Sequence, residues 1–143
     1  MLKRLDHVSI GVPDIDKAET LFTEILGGEL LPDFGESAEG FSWLTFMLGG
    51  KKLELVAPEK MGEGGVGSYL AKHGEGFHHL SFSVEDLAQS RDYFESKGLR
   101  VLSYSDVSRS FKHFYLHPQD TFGALIQVFE ENTKTVEMSE PSD

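Results

Sequence analysis

Hydrophobic and polar positions along this chain follow two periods, and the periods recur in the same order. Residues 5–12 alternate, with Val8, Ile10 and Val12 on one side of an extended chain and His7, Ser9 and Gly11 on the other; this predicts a half-buried strand. Over 14–27 the period lengthens. Ile15, Ala18, Leu21, Phe22 and Ile25 fall on one helical stripe, with Asp14 placed to cap its start and Gly27-Gly28 to end it. Strand-like runs follow near 29–34, 41–49 and 51–57. A glycine-rich turn from Gly62 to Gly67 leads into a short helix over 66–73. Then come a strand over 77–84, a helix over 86–97 and strands near 99–104, 112–117 and 124–130. Pro58, His117-Pro118 and Gly123 punctuate the joins.

The second half repeats the first in residue type as well as in order. His7-Val-Ser-Ile-Gly-Val12 lies over His79-Leu-Ser-Phe-Ser-Val84 at an offset of 72 residues, and Asp14, Ile15 and Phe22 fall on Asp86, Leu87 and Phe94. Near the end of each half the offset becomes 73, so that Glu54 faces Gln127. Each half reads as βαβββ. The fold class is therefore α+β: two βαβββ repeats related by a pseudo-twofold, forming a cup-shaped mixed sheet with helices outside. One domain is expected over 1–131, with repeats at about 5–58 and 77–131, followed by a disordered acidic tail over 132–143.

Strand parity decides which side chains see the cup. His7 and His79 lie opposite the apolar faces of their strands, and Leu53-Glu54-Leu55 and Ile126-Gln127-Val128 each put one polar residue between two apolar ones. His7, Glu54, His79 and Gln127 thus point into the concavity as two symmetry-related pairs. A buried glutamate needs partners, and two imidazoles, a carboxylate and an amide make a donor set for one divalent ion. A metal-free polar pocket is the alternative for the same residues. His78 falls on the opposite face and suits a structural role or a helix contact, while His73 and His113 read as solvent-facing or loop residues. His117, before Pro118, suits a turn or a place behind the site.

Composition narrows the chemistry. The 143 residues contain no cysteine, which excludes disulfides and thiolate metal sites. Thirteen basic residues against 24 acidic ones give a net charge of −11, which argues against sequence-independent nucleic-acid binding. No stretch approaches the roughly 20 apolar residues of a membrane span, and the start lacks a signal peptide's apolar run, so a cytoplasmic location without membrane association is expected.

These residues resemble the vicinal oxygen chelate superfamily, the glyoxalase, bleomycin-resistance and dioxygenase group. The resemblance covers about 5–131 and rests on His7-Val-Ser-Ile-Gly-Val, Leu53-Glu-Leu and the second His-X-Ser-X-Ser-Val together. The segment from Ser68 to Val84, Leu53-Glu-Leu-Val-Ala-Pro58 and Leu116-His-Pro-Gln-Asp120 are most similar to methylmalonyl-CoA epimerases. That resemblance implies a Co, Mn, Ni or Zn ion chelating two substrate oxygens, an acyl-CoA substrate and a homodimer. It implies a catalytic carboxylate beside the metal and a second base in the loop before the third strand, where Glu39 stands, with Glu36 as the fallback. The chain departs from the pattern at Gln127, where epimerases and glyoxalase I usually carry a catalytic Glu; the twofold would then hand that role to Glu54. Lys51, Lys52, Lys60, Arg109 and Lys112 are candidates for coenzyme A phosphates. Glyoxalase I-type isomerisation, a mirrored extradiol dioxygenase site and a non-catalytic ligand-binding or resistance protein are the other readings.

Overall fold

The computed structural model of the chain describes residues 1–107 and 111–131, so Arg109 and the acidic stretch 132–143 lie outside the described residues. The elements run β1 (Arg4–Gly11), α1 (Ile15–Thr20), β2 (Glu29–Ser37), β3 (Phe41–Leu48), β4 (Lys51–Pro58), α2 (Gly64–His73), β5 (Gly76–Val84), α3 (Leu87–Ser96), β6 (Val101–Ser105), β7 (His113–Leu116) and β8 (Ile126–Glu130). The expected βαβββ order thus occurs twice, with α2 between the halves, in a mixed α+β chain. It forms two compact units, one of His7–His79 and one of Met1–Asp6 with the chain from Leu80 onward.

In the unit His7–His79 the strand order is β2-β3-β4-β1. β1 runs parallel to β4, and β2, β3 and β4 are antiparallel neighbours. Gly49 and Gly50, with φ of 61° and 80°, make the two-residue β3–β4 turn, which needs positive φ at both central positions. Asp14 caps α1 as expected, accepting from the backbone N–H groups of Asp16 and Lys17 at 3.1 and 3.2 Å. Beyond Thr20 the helix widens into a π turn over Leu21–Ile25, closed by Leu26 N–H donating to the Leu21 carbonyl at 3.0 Å. This breaks the expected stripe, because the i to i+5 bond changes the angular spacing of the side chains. Phe22 stacks on Phe46 of β3, whereas Leu21 and Ile25 are 42% and 72% exposed.

The opposite face of these strands is closed at one end by α2. Val66 and Leu70 pack on Val56, with Phe41 and Trp43 beside them. A Cβ on Gly11 would come within 2.5 Å of Leu70, so the glycine ending His-Val-Ser-Ile-Gly makes room for this helix.

In the other unit the order is β5-β8-β7-β6, with β5 parallel to β8 and the remaining pairs antiparallel. Asp86 caps α3 by accepting from Gln89 N–H at 2.9 Å. Val84, Leu87, Phe114, Leu116 and Val128 form the core, with Phe94 edge-on to Phe114. Lys3 and Arg4 are tied to Glu131 by ion pairs of 3.0 and 3.1 Å. The serines of both repeat strands are deeply buried: Ser9, Ser81 and Ser83 are inaccessible, while Ile10 and Phe82 are only half-buried.

Candidate metal centre

Three strands bring the first site together. β1 supplies His7 and Ser9, β4 supplies Glu54, and the beginning of β5 supplies His79. The parallel ladder sets Ser9 directly beside Glu54, and the Ser9 hydroxyl donates to Glu54 Oε1 at 2.6 Å. Ser9 Oγ also lies 3.0 Å from His79 Nε2. Glu54 Oε1 is 3.7 Å from His7 Nε2 and 3.9 Å from His79 Nε2. The two imidazoles meet edge-on, with centroids 5.7 Å apart. One potential ligand atom from each of His7, Glu54 and His79 lies within 4.8 Å of the others.

These residues fit a divalent ion. Two imidazole nitrogens and a carboxylate oxygen suit borderline metals such as zinc or cobalt. The two carboxylate–imidazole separations, 3.7 and 3.9 Å, exceed only slightly the ~3.4 Å spanned by ligands about 2.1 Å from a tetrahedral ion. Glu54 sits between Leu53 and Leu55 in a half-buried position, where an ionised carboxylate requires compensating donors or a cation.

Gln127 belongs to the other unit, where its surroundings repeat those of Glu54. It is buried on β8 beside Ser81, whose hydroxyl donates to Gln127 Oε1 at 2.9 Å. Its amide nitrogen donates to the Tyr115 hydroxyl at 3.2 Å and lies 3.5 Å from His113 Nδ1. His113 is thus not the solvent-facing or loop residue its sequence position suggested. It alternates on β7 with buried Phe114, and its half-buried ring packs on Phe111. His117 does take a turn role, accepting from Gln119 N–H at 3.1 Å.

Glu39 is exposed in the β2–β3 turn and lines a cavity of about 450 Å³ with Glu59, Lys60 and Glu63. The β3–β4 ladder ends there at Phe41 opposite Pro58, and Pro58 lies roughly 13 Å along the strand from Glu54 at ~3.3 Å per residue. Glu36 pairs with Ser42, which pairs with Ala57, so it projects from the face opposite Glu54. A carboxylate that sequence reasoning passed over shares the Glu54 face instead. Asp33 accepts from Trp43 Nε1 at 3.1 Å and from the Thr45 hydroxyl at 3.4 Å, and Thr45 stands directly opposite Glu54. Its reach depends on the register shift between Leu30 and Phe34, which no residue pattern announces.

His78 makes the helix contact expected of it, with its ring edge-on to Tyr69 of α2 at 4.5 Å. It also makes a bond the sequence did not reveal: its Nδ1 lies 2.8 Å from His79 Nδ1. Burial, and then the nearby His73, lower its pKa to about 4, so it is neutral at physiological pH. His73 is exposed at the end of α2. Of the candidate phosphate ligands, Lys60 pairs with Glu63 and Lys112 with Glu130, at 3.2 and 3.6 Å; Lys51 is exposed at the start of β4 and Lys52 is half-buried.

A doubled βαβββ chain with two histidines and a carboxylate converging on its strands defines a repeat-built protein with a candidate nitrogen–oxygen metal centre. The chain belongs to the Glyoxalase/Bleomycin resistance protein/Dioxygenase superfamily, whose family profile matches residues 6–115. It is 32% identical over 133 residues to the ethylmalonyl-CoA/methylmalonyl-CoA epimerase of Cereibacter sphaeroides, covering 90% of this chain and 98% of that protein. To the mitochondrial methylmalonyl-CoA epimerase of Mus musculus it is 28% identical over 131 residues, covering 89% of this chain and 72% of that protein. Among solved structures it resembles Streptomyces coelicolor methylmalonyl-CoA epimerase in complex with 2-nitronate-propionyl-CoA, at a TM-score of 0.80 and 26% identity, covering 92% of this chain and 96% of that one. Among the described residues, no helix is long and apolar enough to cross a membrane.

Proposed function

We propose that this protein is a metal-dependent epimerase of acyl-CoA thioesters carrying an acidic α-proton, of the methylmalonyl-CoA type. The observation that carries this reading is the convergence of His7, Glu54 and His79, with Ser9 hydrogen-bonded to the carboxylate. The near full-length similarity to acyl-CoA epimerases supports the substrate class. A divalent ion (cobalt, manganese, nickel or zinc) held by His7, Glu54 and His79 would polarise the thioester carbonyl and lower the cost of losing the proton between two carbonyls.

Gln127 cannot exchange a proton at neutral pH, so carboxylate chemistry at the ligand positions falls to Glu54. Glu54 removes the α-proton from one face of the substrate, and the Ser9 hydroxyl orients its carboxylate. Interconverting two hands requires a second group on the other face. Glu39 follows from the family resemblance; Asp33 is favoured by the ladder, because only Thr45 separates it from Glu54. Lys51 is the leading partner for a coenzyme A phosphate, since Lys60 and Lys112 are engaged by carboxylates. A cytoplasmic homodimer completes the reading, supported by the family resemblance and by a cysteine-free composition.

Incubation with methylmalonyl-CoA in deuterated water provides the test. Wild type should interconvert the two isomers and introduce deuterium at the α-carbon, and Glu54→Gln should lower both rates at least about 100-fold, as loss of a general base does. Replacing the second base should abolish interconversion while leaving exchange on one isomer, so Asp33→Asn and Glu39→Gln can be told apart. No exchange by wild type, or turnover of methylglyoxal with glutathione instead, would overturn the assignment.

A further inference from the structure

Neighbouring residues on a strand face opposite sides, so a histidine pair such as His78-His79 would ordinarily share no contact. At the start of β5 the two rings instead stand at 76° to each other, with their Nδ1 atoms 2.8 Å apart. One of these nitrogens must donate and the other accept, which couples the tautomers of the two rings.

The direction follows from what His79 has to do. Its Nε2 is the atom turned toward Ser9 and Glu54, at 3.0 and 3.9 Å. With the Ser9 proton donated to Glu54, a metal-free His79 donates Nε2–H to Ser9 Oγ, and an ion at Nε2 would displace that proton to Nδ1. An imidazole that offers Nε2 to a metal carries its proton on Nδ1. That proton then lies on the line to His78 Nδ1, which must accept it, and the proton of His78 is left on its Nε2. His78 Nε2 is buried with no hydrogen-bond partner among the described residues. Burying an unpartnered polar atom is unfavourable, and a leucine or phenylalanine would avoid it. The ring is also wedged against α2: Tyr69 packs on it edge-on at 4.5 Å and is itself stacked on His73 at 4.1 Å. What the buried imidazole supplies, and an apolar side chain of similar size could not, is an acceptor at a fixed position beside His79.

Resting on the metal-centre reading above, we infer that His78 is a positioning residue, holding His79 in the Nδ1–H tautomer and at the ring angle that presents Nε2 to a divalent ion. It takes no part in binding the ion or the substrate. Its contribution is to metal affinity, where hydrogen-bond partners of histidine ligands typically count for about 10- to 100-fold.

The experiment titrates metal-stripped full-length protein with Zn²⁺ and with Co²⁺ in competition with a chromophoric chelator. It compares wild type with His78→Phe and His78→Asn. Phenylalanine keeps a ring against Tyr69 but accepts no hydrogen bond, and its affinity should fall about 10- to 100-fold. The asparagine carbonyl can take the same N–H and should restore most of the loss. Melting of the stripped proteins shows whether each variant is folded, and long-range ¹H–¹⁵N spectra of the zinc-loaded wild type should find His79 protonated on Nδ1. Phenylalanine-variant affinity within twofold of wild type would overturn the inference. So would an asparagine variant as weak as the phenylalanine one, or His79 protonated on Nε2 in the zinc-loaded protein. Wild type that binds neither ion would overturn the metal centre itself, an outcome read before any variant is made.

Discussion

Ser9 shows how much a single small side chain contributes at this site. It is inaccessible to solvent, and its one hydroxyl proton goes to the Glu54 carboxylate at 2.6 Å. A hydrogen bond to a charged acceptor contributes about 1.5–3 kcal/mol. Ser9→Ala should therefore destabilise the metal-free protein by about 2 kcal/mol in urea unfolding and weaken its binding of zinc; an unchanged midpoint would dismiss the bond as incidental. The sequence marked Ser9 as facing the cup, but its partner was hidden, because pairing across a parallel ladder depends on register. Gln127 repeats the arrangement with Ser81 at 2.9 Å, so the repeat preserved the bond while exchanging the carboxylate for an amide. Asp33 shows the opposite limit. Nothing in its neighbours along the chain indicates that it faces Trp43 and Thr45.

At the scale of elements, helix α2 and the junction between the start of β6 and the turn after β7 each rest on a contact that can be tested. Gly11 stands where a Cβ would meet Leu70 at 2.5 Å, so Gly11→Ala should either turn the leucine aside or shift α2. The expected cost is about 1–3 kcal/mol by thermal unfolding, as for other overpacked sites, and it should shrink when Leu70 is already alanine. Equal costs in both backgrounds would rule out this clash. The second contact joins the start of β6 to the turn after β7. Arg100 donates to both carboxylate oxygens of Asp120, at 2.9 and 3.0 Å, and holds the Asp120 pKa down at about 2, against 3.8 for an unperturbed aspartate. A carboxylate depressed in the folded state contributes stability above its unfolded pKa and loses it as pH falls through its folded one. Melting temperature should thus drop between pH ~4 and pH ~2, and Asp120→Asn should flatten that part of the profile. Element types were legible because caps, glycines and periodicity act locally. The π turn was not, since its wider spacing arises where Phe22 docks on Phe46.

For the whole molecule the net charge is −11, so a bound divalent ion would reduce rather than add to its self-repulsion. If His7, Glu54 and His79 hold a metal only in the folded chain, binding is linked to unfolding. At free zinc 100 times the dissociation constant the gain is ~2.7 kcal/mol, which raises the melting temperature of a chain this size by roughly 8 °C. Chelator should reverse the shift and His79→Ala should abolish it; equal shifts in wild type and variant would indicate surface binding. The two compact units do not coincide with the sequence repeats, because Met1–Asp6 contacts the later unit through Lys3 and Arg4.

By itself the sequence determined the doubled βαβββ order, the helix cap at Asp14, and the side of each strand on which His7, Glu54, His79 and Gln127 lie. All of these follow from nearest neighbours and from a period of two or of about 3.6 residues. Only the tertiary structure decided that Ser9 meets Glu54, that Asp33 shares the Glu54 face while Glu36 leaves it, and that the His78 ring bonds to His79. Each of these depends on strand register or on docking against α2. Both arise from contacts between residues distant in the chain, which no local pattern encodes.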